Sequence, residues 1–200
     1  MPTTRPVVAL TFDAGSDATG AASILTTLRT TKTAATFFLT GAFTDSYPSI
    51  ARQLAAGYRI GNHTRNHLSL TTLADLAVRD EVTAAERRIT AVTGVDPRPW
   101  FRFPFGDSDA RTIADANLLG YAAIRWSVDS LGWKGTSGGQ SLTSVRDRVL
   151  AGARPGEIVL MHLGANPSDG TTLDADALPA IIAGLTARGY TMVTLDSLLG

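Results

Sequence analysis

The stretch VVALTFDAGSDATGAASILTTLRTTKTAATFFLTG, residues 7–41, holds one full turn of the pattern that decides the fold. Val7–Asp13 is an apolar, β-rich run that ends in a carboxylate. Residues of helical period follow over Thr19–Thr31, and a second apolar run covers Ala35–Gly41. Strand, helix and strand in this order call for a parallel sheet with right-handed crossovers.

The pattern continues outward from there. Further strands are expected at Arg59–Thr64, Trp100–Phe105, Tyr121–Asp129, Glu157–Leu163 and Tyr190–Leu195. Helices are expected near Tyr47–Ala56, Thr72–Thr93, Asp109–Leu119, Leu142–Ala153 and Leu178–Arg188. Gly57, Gly94, Gly120 and Gly189 follow helical segments, as suits the residue just past a helix end. The expected class is α/β with about seven parallel strands in a single domain, residues 1–200. The strands would form either an incomplete (β/α) barrel or an open doubly wound sheet.

Composition narrows the function classes. Hydrophobic residues make up 44% of the 200 residues, enough for a sizeable core. The 18 basic and 18 acidic residues cancel, so no nucleic-acid or anionic-membrane partner is expected. Without cysteine there are no disulfides, no thiolate metal ligands and no cysteine nucleophile. No apolar run reaches the roughly 20 residues of a membrane helix. The polar Met1–Pro6 shows no signal-peptide core.

The chemistry gathers at strand ends. All three histidines, His63, His67 and His162, fall at or just past the C-terminal ends of expected strands, as do Asp13, Arg102 and Asp129. In parallel α/β folds this is the edge where sites are built. His63 and His67 stand four apart, a spacing at which one helical turn or a tight loop brings two imidazoles together for a divalent metal. Thr64 follows His63, so this is not the zincin motif. Arg102 sits in an apolar run and needs an anionic partner, for which Asp13 and Asp129 are candidates. His162 reads as a general acid or as a strand cap.

Taken together, Thr11-Phe12-Asp13-Ala14-Gly15, His63-Thr64-Arg65-Asn66-His67, Arg102-Phe103-Pro104-Phe105, Asp129 to Trp133 and Leu160-Met161-His162 resemble the five ordered motifs of the polysaccharide deacetylases, the NodB-homology enzymes of carbohydrate esterase family 4. The resemblance spans nearly the whole chain and implies a distorted, incomplete (β/α) barrel. It implies hydrolysis of N-acetyl or O-acetyl groups on peptidoglycan, chitin-type glycans or xylan by a monomer that is secreted or held at a bacterial cell surface. It also implies a divalent metal, zinc by preference with cobalt or nickel as substitutes, held by His63 and His67. Asp13 becomes the base, Arg102 orients it, and His162 becomes the acid. Asp129 would pair with His162 or Arg102. Pro104 and Phe105 shape the substrate groove, with the Phe105 amide near the oxyanion, while Leu160 and Trp133 line the acetyl pocket.

Two positions depart from the family. Where its first motif carries a second, metal-ligating Asp, this chain has Ala14. Asp13, a water or the more distant Asp17 would have to fill the gap, so weaker metal binding is expected. Where the fourth motif has Asp before Trp, this chain has Gly132, which leaves Asp129 as the acidic member. Gly135-Thr136-Ser137-Gly138-Gly139 fits the G-x-S-x-G pattern but lacks the strand and helix that a nucleophile elbow needs. A non-catalytic carbohydrate-binding relic is the main competing reading.

Overall fold

A computed structural model describes residues 3–199; Met1 and Pro2 of the polar N-terminus, and Gly200, lie outside it. Strands and helices alternate through the chain, as the pattern requires. The strands β1 (Val7–Ala14), β2 (Thr36–Leu39), β3 (Arg59–Asn62), β4 (Trp100–Phe101), β5 (Ala122–Ala123), β6 (Val128–Asp129), β7 (Glu157–His162) and β8 (Thr191–Met192) hydrogen-bond in the order β5-β4-β3-β2-β1-β7-β6, with β8 added on β1. The pairs β1–β7, β1–β8, β3–β4, β4–β5 and β6–β7 are parallel. This is the α/β sheet of an incomplete (β/α) barrel. Among the described residues no helix is long and apolar enough to cross a membrane.

Contacts concentrate in two compact units. The first joins the two chain ends, residues up to 36 and from 126. It holds β1 (Val7–Ala14), α1 (Ala21–Thr31), β6 (Val128–Asp129), α6 (Leu142–Gly152), β7 (Glu157–His162), α7 (Leu173–Ala187), β8 (Thr191–Met192) and α8 (Leu195–Leu199). Every residue of β1 is buried, which explains why it is apolar but for Thr11 and Asp13. β1 lies along β7 over six register pairs, from Val8 with Glu157 to Asp13 with His162.

The second unit, residues 37–125, is continuous. Strand β2 (Thr36–Leu39) leads into it. It holds α2 (Gly41–Ser46), α3 (Pro48–Gly57), β3 (Arg59–Asn62), α4 (Asp75–Thr93), β4 (Trp100–Phe101), α5 (Ala110–Leu118) and β5 (Ala122–Ala123). Its core packs Val78 and Val82 of α4 with Phe101, Phe103, Ala116 and Tyr121. Gly94 ends α4 in the left-handed region, where its N–H closes on the Thr90 carbonyl. Gly57 stays inside α3 instead of following it.

Several boundaries differ from expectation, and of the expected strand Trp100–Phe105 only Trp100–Phe101 is strand, before a 3-10 turn at Pro104–Gly106. The run Tyr121–Asp129 is two strands, β5 beside β4 and β6 beside β7, because the chain leaves one strand partner and takes another within nine residues. The short helix α2 follows β2 at once, capped by the Thr40 side chain. Helix α7 starts at Leu173, five residues before the expected Leu178. Pro179 therefore falls at its seventh position; a start at Leu178 would have put the ring in the first turn, where helices tolerate it best.

Candidate active site

Each unit carries chemistry at the C-terminal ends of its strands. In the second unit the chain leaves β3 at Asn62 and turns sharply. Thr64 and His67 both adopt left-handed backbone, with φ of 69° and 58°. Such conformations are uncommon outside glycine and persist only where surroundings impose them. Here they do. The Asn62 Oδ1 accepts the Thr64 N–H at 2.9 Å, and the Thr64 hydroxyl accepts the His67 N–H at 3.1 Å. The Thr64 and Arg65 carbonyls accept the first N–H groups of α2. A loop, and not a helical turn, thus brings the His63 and His67 rings to 4.8 Å, edge to face.

His63 is buried, and its Nδ1 lies 2.8 Å from the Arg102 carbonyl oxygen. A carbonyl only accepts, so Nδ1 carries the proton of the neutral ring and Nε2 is its unprotonated nitrogen. The His67 ring contacts the Phe105 ring at 4.7 Å. Phe105 has a φ of 59° and is 71% exposed, whereas Pro104 before it is buried. Arg102 is fully buried. Its Nε donates to the Ile124 carbonyl at 3.3 Å, and its guanidinium lies 4.2 Å over the Phe38 ring.

Two imidazoles fall short of the three protein ligands usual for catalytic zinc. Among the described residues no group of three or more His, Cys, Asp or Glu side chains could hold a metal. Asp17 joins no such group; its carboxylate is held by backbone N–H groups of the loops after β1 and β7. It accepts the Thr19 N–H at 2.8 Å and the Ala165 N–H at 3.1 Å, and these bonds hold its pKa low against the opposing effect of burial.

In the first unit, Asp13 and His162 are register partners on neighbouring parallel strands. Side chains at matched positions of such strands share a face. Behind His162 stands Asp174, a residue that sequence reasoning missed. It is the second residue of α7, buried, with Oδ2 2.8 Å from the His162 backbone N and 3.7 Å from its ring Nδ1. The second distance is ion-pairing range, longer than a hydrogen bond. Burial lowers the His162 pKa, but Asp174, Asp13 and Asp129 together outweigh it and raise the pKa above the ordinary imidazole value.

Besides acting on the charge of His162, Asp129 holds the loop that follows β6. Its Oδ1 accepts the Leu131 N–H at 2.9 Å and its Oδ2 accepts the Trp133 indole N–H at 3.2 Å. It therefore fixes Trp133, which is 46% exposed and tilted 6.3 Å from the His162 ring. Leu160 is buried in β7 beside Asp129. The Asp169 carboxylate latches the Trp133 loop from the far side, accepting from Ser137 N at 2.6 Å and Thr136 Oγ1 at 2.9 Å. Ser137 thus lies in a turn after the short 3-10 segment Gly132–Lys134, without a nucleophile elbow. Among the aromatic residues, Phe43 and Trp100 belong to the core.

The sequence matches the polysaccharide deacetylase family profile over residues 1–124. It is 32% identical to a peptidoglycan-N-acetylglucosamine deacetylase of Bacillus cereus, a match covering 98% of this chain and 70% of the relative. It is 30% identical to a chitooligosaccharide deacetylase of Azorhizobium caulinodans, covering 93% and 91%. Among solved structures, a CE4 family pseudoenzyme from Bacillus anthracis superposes with a TM-score of 0.88 at 28% identity, over 98% of this chain and 66% of that one. A mutant of that protein with restored enzymatic activity superposes equally well.

Proposed function

This chain belongs to the polysaccharide deacetylase family, and from that premise we propose that it hydrolyses acetyl groups on a polysaccharide with Asp13 as base and His162 as acid. The observation that carries this reading is the Asp13–His162 register pair at the ends of β1 and β7. A carboxylate and a cationic imidazole on one face are the two proton-transfer groups that acyl hydrolysis needs.

Asp13 removes a proton from water as the water oxygen bonds to the acetyl carbon. The tetrahedral oxyanion then collapses, the bond to the sugar nitrogen or oxygen breaks, and His162 delivers its proton to the leaving group. Acetate and a free amine or alcohol result. Arg102 and Asp129 act in support. Trp133 and Leu160 are assigned to the acetyl methyl, and Pro104 and Phe105 to the glycan.

His63 and His67 are kept as the metal pair, with an affinity for zinc below that of a three-ligand centre. No step is routed through the metal, because the donor set is incomplete. The relatives' substrates favour N-acetyl groups of peptidoglycan or chitin-type oligosaccharides over xylan esters, and with peptidoglycan they favour action at or outside the cell surface.

Acetate release from chitin oligosaccharides, peptidoglycan and acetylxylan, by protein as purified, after EDTA and after added Zn²⁺ or Co²⁺, tests the reading. Release that EDTA abolishes and metal restores is the expected result. Folded protein without release under any condition would sink it. Zinc retained in stoichiometric amount through dialysis against a mild chelator would refute the weak-metal part.

The second reading, a glycan-binding relic, is favoured by Ala14 and by the incomplete donor set. The likeness to a pseudoenzyme accords with it. A raised-pKa acid beside a carboxylate argues the other way, because binding alone uses neither.

A further inference from the structure

We propose that Asp174 is the positioning residue for His162 and that Gly132 is the gap that admits it; this rests on the reading of His162 as proton donor.

Asp174 is a carboxylate on the first turn of α7, yet its two oxygens are spent on the ends of neighbouring strands. Oδ1 accepts the Ser130 hydroxyl at 2.6 Å, just past β6. Oδ2 accepts the His162 backbone N–H at 2.8 Å and faces the ring Nδ1 of the same residue at 3.7 Å. One oxygen therefore holds the His162 backbone and stands at ion-pairing range of its ring, which favours Nδ1 as the protonated nitrogen of the neutral form. Nε2 is then the nitrogen that gives up the proton.

Space for this carboxylate exists only because position 132 lacks a side chain. A Cβ on Gly132 would meet Asp174 Oδ1 at 2.3 Å and its Cγ at 2.5 Å, far inside contact distance. The Gly132 backbone φ is not left-handed, so the glycine serves room and not conformation. Ser130 completes the cradle, taking the Gly132 N–H at 3.2 Å while donating to Asp174.

Three acids act on the His162 ring: Asp13 from β1, Asp129 from β6 and Asp174 from α7. Asp13 gains a proton in each turnover, so it cannot be a constant counter-charge. Asp129 has its oxygens on Leu131 and Trp133. Asp174 is buried, has no proton to exchange in the reaction and, alone of the three, accepts the His162 backbone N–H, at 2.8 Å. Its burial in turn favours a cationic partner.

The test is titration of His162 by NMR, simplified because the chain has three histidines. In the wild type, the neutral ring should carry its proton on Nδ1; an Nε2–H tautomer would overturn the proposal without any variant. In Asp174→Asn, whose carbonyl oxygen can still accept the His162 N–H while its NH2 donates to a turned Ser130 hydroxyl, the His162 midpoint should fall by about one pH unit or more, the scale of one adjacent carboxylate. Gly132→Ala should lower it too, with the carboxylate still present but displaced. A purely structural Asp174 would cost stability and leave both midpoints where they were. With active protein, the alkaline limb of kcat/KM should move to lower pH in Asp174→Asn. Failure of all substrates would sink the deacetylase reading and leave the titration to judge Asp174 by itself.

Discussion

Glu81 on α4 grips Asn66 with both carboxylate oxygens, accepting the Asn66 backbone N–H at 2.8 Å and its side-chain Nδ2 at 2.6 Å. Asn66 is the residue just before His67, so this clasp sets where the second imidazole stands. Glu81 is itself buried, which makes the bonds strong and their loss costly.

Glu81→Ala should therefore lower stability by about 1.5–3 kcal/mol, the scale of hydrogen bonds to a charged group. Urea unfolding measures this. It should also weaken Co²⁺ binding, read by calorimetry, because His67 would lose its left-handed turn. Unchanged metal affinity in folded protein would show that His67 is not a ligand.

Ala14→Asp should raise zinc affinity by about tenfold or more, because it supplies the third donor that a catalytic zinc site ordinarily has. Competition with a chromophoric chelator reads the change, and metal-dependent acetate release should rise with it. Equal affinity in both proteins would rule position 14 out as a donor position.

Glu157 gives a pH-dependent prediction away from the site. It is fully buried, and neither carboxyl oxygen has a hydrogen-bond partner. Desolvation raises its pKa to about 7, against a weaker opposing pull from Arg154. The folded chain thus holds a proton that the unfolded chain gives up near pH 4.5. Stability falls as pH rises from there to about 7, and the full penalty remains above it. Glu157→Gln should leave stability unchanged near pH 4 and raise the Tm at pH 8. An equal effect at both pH values would contradict this account.

Asp169 bears on substrate binding. Besides Thr136 and Ser137, its carboxylate accepts the Thr171 N–H at 2.9 Å and hydroxyl at 2.6 Å. These bonds hold its pKa well below the usual range. Asp169→Ala should free the loop that carries Trp133 and raise KM several-fold, with kcat changed less. The opposite split would remove Trp133 from the acetyl pocket. Ser137→Ala in the same loop should leave kcat/KM as it was.

The sequence was most legible where one residue type at one place had few other uses. An aspartate ending the apolar strand Val7–Ala14, or a histidine ending Glu157–His162, announces itself against a buried background. The four-residue spacing of His63 and His67 was legible, but the left-handed loop that realises it was not, since a β-branched residue such as Thr64 gives no sign of positive φ. The hand-off from β5 to β6 left no mark in an even run of polar and apolar residues. Asp174 was hidden for a different reason. Its role depends on an absent side chain at Gly132, 42 positions earlier by their numbers, and single-sequence patterns do not register such a fit.

The pairing of β1 with β7 also has a consequence for synthesis. Thr11 and Val159, bonded across these strands, are 148 residues apart in the chain. β1 is made well before β7, and its eight buried residues have no β7 to lie against until then. During that interval an unpaired, aggregation-prone strand edge is on display. The contacts that complete the acid and base are thus among the most non-local in the protein, and closing them is the slow kind of step. A translation product stopped short of β7 would carry Asp13 and both loop histidines without His162.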